Sequence, residues 1–148
     1  MEIIKYDSCY QKELLRFIIA VFDENNIELQ LTQKHSDILN PLSVYFSFYI
    51  VVDNDDIVGC VGVRELDSDK RIAELKRLYL SKAYHKRGIG GRLVKSAIKS
   101  AAKKEYKYMR LDTKEQFSNA IALFEKYGFY QIKRYNDSNA TLFYEVKL

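Results

Sequence analysis

The feature that most constrains this chain is a strand that leads through three glycines directly into a long helix. Residues 73–80 read AELKRLYL, which is typical of a β-strand, and residues 85–91 read HKRGIGG. Apolar residues then recur at helical spacing: Ile89, Leu93, Val94, Ala97, Ile98, Ala101 and Ala102. A strand, a glycine turn and an amphipathic helix in this order predict an α/β fold.

The glycine turn also predicts a binding site for an anion. Backbone N–H groups in the first turn of a helix have no partners within the helix, and the helix dipole is positive there. Glycines at 88, 90 and 91 would let an anion approach these groups with no Cβ in the way. Nearby side chains add positive charge: Lys86, Arg87 and Arg92. The chemistry indicated is the binding of a phosphate or a diphosphate.

The distribution of charge points to the same segment. Residues 82–104 carry eight Lys and Arg and no Asp or Glu, whereas residues 1–81 carry nine against fourteen. A local basic excess favours a local partner such as a phosphate group. Two other interpretations stay open: a solvated helix face, and a nucleic-acid surface, which would bind with a steep salt dependence.

Two familiar nucleotide motifs are absent from this turn. A P-loop needs GxxxxGK followed by Ser or Thr, and the chain contains no such string. A dinucleotide fingerprint needs a third small residue where this chain has Leu93. The turn alone therefore leaves the ligand open, and an ordinary helix start would look similar.

The rest of the chain predicts one mixed α/β domain over residues 1–148. Further strands are predicted over 2–5, 44–53, 56–66, 108–113, 129–135 and 141–148, and a helix capped by Ser118 or Asn119 ends before Gly128. Residues 27–43 are ambiguous. No apolar run suits a membrane helix, and the spacing of Cys9 and Cys60 favours reduced thiols. We therefore expect a cytoplasmic protein with no metal and no membrane partner.

Two separated motifs resemble the GNAT superfamily of acetyl-coenzyme A-dependent N-acyltransferases. The family's central motif is Arg or Gln, two residues, Gly, one residue, then Gly or Ala, between a strand and a helix. Here it reads His85-Lys86-Arg87-Gly88-Ile89-Gly90, with His85 in the place of Arg or Gln. The second match, NAIALFEKYGF at 119–129, resembles the family's later helix and its exit.

The resemblance implies a fold and a cosubstrate. The fold is a central mixed, largely antiparallel sheet flanked by helices, with strands 4 and 5 splayed apart to admit the pantetheine arm of acetyl-coenzyme A. It also implies a set of coenzyme-binding residues: Leu78, Tyr79, Leu80, His85, Lys86, Arg87, Gly88, Ile89, Gly90, Gly91, Asn119 and Phe124. Most of these would bind through the backbone, and the Leu78 N–H would polarise the thioester carbonyl.

The implied reaction is direct transfer of an acetyl group to a primary amine. Glu74 stands where some relatives place a general base, although it would equally suit an ion pair with Lys76 on the same strand face. Many relatives supply a Tyr as general acid where this chain has Phe124. Tyr127, Tyr79 or a water would then serve as the acid, or the thiolate would depart unassisted. The alternative is a module that binds the acyl-coenzyme but is catalytically impaired.

The acceptor amine is not identified by the sequence. The segments that frame it in this family carry four acids, which either attract a cationic amine or belong to solvated surface: Asp23, Glu24, Glu28 and Asp37. Small-molecule and peptide amines both remain open, nucleic acid is not expected as a partner, and the resemblance allows a monomer or a homodimer.

Overall fold

The computed structural model describes every residue from Met1 to Leu148. Its strands are β1 (Glu2–Lys5), β2 (Ser47–Asp53), β3 (Asp56–Asp67), β4 (Ile72–Leu80), β5 (Tyr108–Thr113), β6 (Tyr130–Ile132) and β7 (Leu142–Lys147). The helices are α1 (Gln11–Glu24), α2 (Ile89–Lys103) and α3 (Ser118–Lys126). Short 3-10 turns lie at Ser8–Tyr10, Ser36–Leu39, Pro41–Ser43 and Lys82–Tyr84. No helix is both long enough and apolar enough to cross a membrane.

All seven strands form one sheet in the order β1-β2-β3-β4-β5-β7-β6. Every neighbouring pair is antiparallel except β4 and β5, which are parallel. The parallel pairing covers only Ile72 to Glu74 on β4, opposite Tyr108 to Arg110 on β5. Beyond Glu74 the two strands separate, so the predicted mixed, largely antiparallel sheet with a splay between strands 4 and 5 is confirmed.

The helices cover the two faces of the sheet. Successive strand residues point to opposite faces, and on β4 Ala73 and Leu75 join the apolar cluster formed with α2 and α3. Glu74 and Lys76 therefore face the other side, where α1 and the loop that follows it pack in a second apolar cluster. This alternation puts polar groups of β4 on the α1 face, beside the splay.

A bulge interrupts β4 at Arg77. Cys60 pairs with Tyr79 and Gly62 pairs with Lys76, so two residues of β4 oppose one residue of β3. Arg77 has φ +58°, in the left-handed region that costs about 1 kcal/mol or more for a residue with a side chain. Its guanidinium donates to both carboxylate oxygens of Asp37, at 2.9 and 2.8 Å. The Arg77–Asp37 ion pair therefore connects the bulge of β4 with the loop that follows α1.

We expect Asp37→Asn to destabilise the protein, and the effect to fade in acid. Burial raises the pKa of the Asp37 carboxyl, but the bonds and charge of Arg77 outweigh it and hold that pKa below its ordinary value. A lowered pKa means that the carboxylate stabilises the fold above its unfolded pKa of about 3.9, and that this stability is lost as the pH falls through the folded value.

Urea unfolding checks this expectation. At pH 7 the substitution should lower the free energy of unfolding by about 2–4 kcal/mol, as expected for breaking a largely buried pair. The difference from wild type should shrink as the pH falls below about 4. Asp69→Asn is the control, because Asp69 is exposed and forms no ion pair. An Asp37→Asn protein as stable as wild type at pH 7 would show that the pair is dispensable.

Three local predictions need correction. Neither Ser118 nor Asn119 caps α3: the helix begins at Ser118, one residue earlier than a Ser118 cap requires, so the cap position is Phe117, which has no side-chain bond. The strand predicted over 129–135 is confined to β6, because its backbone pairing with β7 ends at Ile132. The ambiguous residues 27–43 contain two 3-10 turns and no α-helix.

Candidate active site

The start of α2 presents a row of backbone N–H groups without partners. None of the six amides from Lys86 to Gly91 donates a hydrogen bond to another group of the protein. Gly88 occupies the cap position with φ +77°, and no side chain caps the helix. A buried or ligand-facing N–H without a partner costs free energy. The loop is therefore built to receive an acceptor from outside the chain, and an anion suits the positive end of the helix dipole.

The loop before this helix is held in place by side chains. His85 donates through Nε2 to the carbonyl oxygen of Leu80 at 3.0 Å, which ties the loop to the end of β4. The Tyr84 hydroxyl donates to Asp53 at 2.6 Å, and the guanidinium of Arg87 lies over the Tyr84 ring, 4.9 Å from its centre. His85 thus has a structural role in this chain, where the related motif has Arg or Gln.

The three glycines of the loop lie in different surroundings. A Cβ at Gly88 would meet nothing within 4 Å, so the space above it is open, and its positive φ favours glycine. A Cβ at Gly90 would lie 3.1 Å from Cδ2 of Leu123 on α3. A Cβ at Gly91 would lie 2.7 Å from the hydroxyl of Tyr127. Gly91 therefore lets α3 approach α2, and Gly88 leaves room above the amides.

The splay between β4 and β5 opens beside the same loop. From Leu75 to Leu80, β4 pairs with β3 on one side and has no strand on the other. Leu78 and Leu80 pack against the α2 face, and the Tyr79 ring packs edge-on against Phe22 of α1 on the opposite face. An extended chain lying in the gap would find backbone partners along this free edge.

Glu74 lies at the point where the splay begins and is completely buried. Arg64 donates to its Oε1 through Nε at 2.7 Å, with Nη2 also 2.7 Å from that oxygen, and the Tyr135 hydroxyl donates to its Oε2 at 2.6 Å. Burial, followed by the charge of Glu74, strongly raises the pKa of Tyr135, so the hydroxyl stays protonated as a donor. The sequence-based pairing of Glu74 with Lys76 is wrong, because Lys76 lies 4.0 Å from Asp112 on β5 instead.

The second motif places its three residues in different surroundings. Asn119 is exposed in the first turn of α3. Phe124 is buried and packs against Phe129, with ring centres 5.6 Å apart. The Tyr127 hydroxyl lies against Gly91, at the start of α2, and forms no hydrogen bond within the protein. The loop and α3 thus bring Asn119 and Tyr127 to the side of the sheet that carries α2, whereas Glu74 faces α1.

Sequence reasoning missed the residues that surround Glu74. Arg64 lies opposite Glu74 across the β3–β4 hairpin. The pair could therefore be predicted from the sequence if the register of the two strands were known. Two bulges shift that register, which hides the pairing from a simple count along the hairpin. Tyr135 is 61 residues from Glu74 in the chain, and no local pattern connects the two. The structure contains no cluster of three or more His, Cys, Asp or Glu side chains that could hold a metal ion.

Comparisons with known proteins agree with this geometry. The sequence pattern of the "Acetyltransferase (GNAT) family" matches residues 8–129. The Probable N-acetyltransferase 14 of Xenopus tropicalis is 38% identical over 79 residues, which cover 53% of this chain and 38% of that protein. The uncharacterized N-acetyltransferase YsnE of Bacillus subtilis is 27% identical over 93 residues, covering 62% of this chain and 60% of that protein. The chain thus matches less than two thirds of the length of these relatives.

Solved structures match over nearly the whole chain. An acetyltransferase of the GNAT family from Staphylococcus aureus Mu50 superposes with a TM-score of 0.88 at 26% identity, covering 99% of this chain and 98% of that one. The PaiA N-acetyltransferase of Thermoplasma acidophilum, solved in complex with coenzyme A, superposes with a TM-score of 0.74 at 20% identity, covering 99% and 98%. At 20% identity, the match to the PaiA N-acetyltransferase shows a shared fold only.

Proposed function

Because the chain belongs to the acetyltransferase (GNAT) family, we propose that residues 1–148 form one domain that transfers an acetyl group from acetyl-coenzyme A directly to a primary amine. The observation that carries this proposal is the row of six unpartnered amides from Lys86 to Gly91. The two cysteines are free thiols, Cys9 exposed and Cys60 buried, in keeping with a proposed cytoplasmic location.

The residues of the loop fit the diphosphate of the coenzyme. Its oxygens would accept from the amides of residues 86–91, in the open space above Gly88 where a Cβ would meet no atom. Lys86 and Arg87 are exposed beside this space and would add positive charge. Asn119 and Tyr127, on α3, lie on the same side of the sheet and complete the proposed coenzyme surface.

The free edge of β4 would bind the pantetheine arm. Backbone groups of Leu78 and Leu80 would pair with its amides, much as a strand pairs with a sheet edge, and Tyr79 holds the strand against α1. When bound, the coenzyme supplies an activated thioester carbonyl. The Leu78 N–H would donate to that oxygen as negative charge develops on it, which lowers the barrier to attack by an amine.

The amine must lose a proton before or during the attack, since an alkyl ammonium has a pKa of about 10. We assign this proton to Glu74, whose Oε1 accepts from Arg64 and whose Oε2 accepts from the Tyr135 hydroxyl. Because Glu74 is completely buried, the proton would reach it through the half-buried hydroxyl of Tyr135, which takes one proton from the amine or a water as it passes its own to Oε2. The departing thiolate takes its proton from Tyr127 or from water, since Phe124 has none to give.

One observation favours a second function. Phe124 is buried against Phe129, at the position where many relatives carry a Tyr that acts as general acid. A module that binds the acyl-coenzyme without transferring the acyl group would tolerate this replacement. Such a module would keep the amides of the loop and the splay of the sheet.

Release of free coenzyme A separates the two functions. We would incubate the protein with acetyl-coenzyme A and a panel of amines and follow the new thiol with a thiol reagent, while calorimetry reports coenzyme binding. The proposed enzyme binds the coenzyme and releases thiol faster with at least one amine than without any. Binding with no amine-dependent release would leave the binding module, and no binding would remove both.

A further inference from the structure

A polar cavity lies on the α1 face of the sheet, next to the free part of β4. Its volume is about 470 Å³, within the range of small-molecule sites. Lys76 and Arg77 of β4, Arg64 of β3 and residues of the loop after α1 line it, among them Lys34, Asp37 and Tyr45. Lys76 precedes Leu78 by two residues on β4, on the other side of the bulge at Arg77. The cavity thus adjoins the place proposed for the thioester.

The charged groups that line this cavity are mostly cations. Four of the five charged lining residues are basic, and the single acid is Asp37. Asp37 cannot serve a ligand, because it already accepts two bonds from Arg77 and one from the Tyr45 hydroxyl. The same ion pair rules out Asp37 as the acid that attracts a cationic amine. The cavity wall therefore presents positive charge.

The acids paired with Arg64 and Lys76 do not line the cavity. Glu74, the partner of Arg64, is completely buried, whereas the Arg64 side chain is 37% exposed. Arg64 directs Nε and Nη2 at Glu74, and its Nη1 donates to no other group of the protein. Lys34 is exposed and forms no ion pair, and Lys76 reaches Asp112 only at 4.0 Å. Free guanidinium and ammonium donors facing a cavity suit a carboxylate or a phosphate.

We propose that the acceptor is a small primary amine that also carries a carboxylate or a phosphate, and that Lys34, Arg64 and Lys76 bind this anionic group. The inference rests on the proposed function and adds the class of its substrate. An ammonium ion without an anion would meet a cationic wall, whereas an acceptor that brings its own negative charge would be attracted and oriented. The anion would lie among Lys34, Arg64 and Lys76, and the amine would point towards the splay, where the thioester and the Tyr135–Glu74 pair are proposed to act.

Matched pairs of amines test this inference. 4-Aminobutyrate is compared with butylamine, and phosphoethanolamine with ethanolamine, so that the two arms distinguish a carboxylate from a phosphate; spermidine represents a cationic acceptor. In at least one pair the anionic member should have a kcat/KM about tenfold or more above its partner without the anionic group. Equal or better use of butylamine, ethanolamine and spermidine would overturn the inference and leave the acetyltransferase intact.

A charge reversal locates the effect. Lys34→Glu should lower the preference for the anionic member about fivefold or more, while acetyl-coenzyme A binding stays as in wild type. Lys99→Glu on α2 is the matched control, because Lys99 is also exposed and unpaired and the change in net charge is the same. An equal effect of both substitutions would mean a general charge effect and would overturn the site.

Direct titration keeps the two proposals separate. The anionic amines are added to 15N-labelled protein without coenzyme, and the Nε–H signal of Arg64 and the amide signals of residues 34–37 are followed. Shifts that saturate for the anionic member of a pair, and not for the amine without the anionic group, support the site even if no amine is acetylated. Absence of such shifts for both anions overturns the site, whatever the enzyme assay gives.

Discussion

Gly90→Glu should weaken acetyl-coenzyme A binding by at least about a hundredfold, because a carboxylate would be introduced in the first turn of α2. In the structure this turn offers amides without partners from Lys86 to Gly91. A carboxylate beside them would accept their hydrogen bonds itself and would repel the diphosphate. Calorimetric titration of the folded variant measures the loss, and circular dichroism checks that the variant is folded.

Gly90→Ala is the control for this result. A Cβ at residue 90 points at Cδ2 of Leu123, 3.1 Å away, and the end of that flexible side chain can move by a few tenths of an ångström. The alanine variant should therefore bind acetyl-coenzyme A within a few fold of wild type. If the glutamate variant bound equally well, the amides at the start of α2 would not be the diphosphate site.

Glu74→Gln should lower kcat by about a hundredfold or more, the usual contribution of a general base, and leave acetyl-coenzyme A affinity within a few fold of wild type. Glutamine keeps the shape of the side chain and can still accept from Tyr135, but it cannot take a proton. Amine-dependent coenzyme release gives kcat, and calorimetry gives the affinity. Tyr135→Phe should also lower kcat if the hydroxyl relays the proton, although Arg64 then still holds Glu74.

A second Arg–Glu–Tyr cluster on the same sheet supplies a matched control. Glu145 on β7 accepts from Arg110 at 2.8 Å and from the Tyr130 hydroxyl at 2.6 Å, just as Glu74 accepts from Arg64 and Tyr135. Glu145→Gln removes a comparable ion pair two strands away and should leave kcat near wild type. Equal losses in both variants would give Glu74 a purely structural role, and unchanged turnover in Glu74→Gln would remove it from the mechanism.

The glycine loop was predictable because its signals are local. The strand before it, the three glycines and the apolar stripe of α2 all lie within residues 73–103, and each follows from backbone chemistry. The sheet order and the parallel pairing of β4 with β5 involve distant segments and followed from the family resemblance rather than from periodicity. The part of the candidate site that is proposed to bind the coenzyme could therefore be predicted from the sequence.

The acceptor half was hidden because its contacts join distant segments. Asp37 and Arg77 are 40 residues apart, and Glu74 and Tyr135 are 61 apart. Hydrophobic periodicity reports which face is buried but does not report which polar groups meet. Arg77 also takes a positive φ that its residue type does not favour, so no turn residue marks the bulge. Only the folded chain shows that the cations of β3 and β4 face one cavity.

The most direct test of the central claim follows the amides themselves. 15N-labelled protein is titrated with acetyl-coenzyme A and, separately, with S-acetylpantetheine, which lacks the diphosphate. The chain has six glycines, so Gly88, Gly90 and Gly91 can be followed against the remaining three as internal references. We expect the signals of these three loop glycines to shift with acetyl-coenzyme A and to stay in place with S-acetylpantetheine. Loop signals that do not move at saturating acetyl-coenzyme A would contradict the claim that these amides bind the diphosphate.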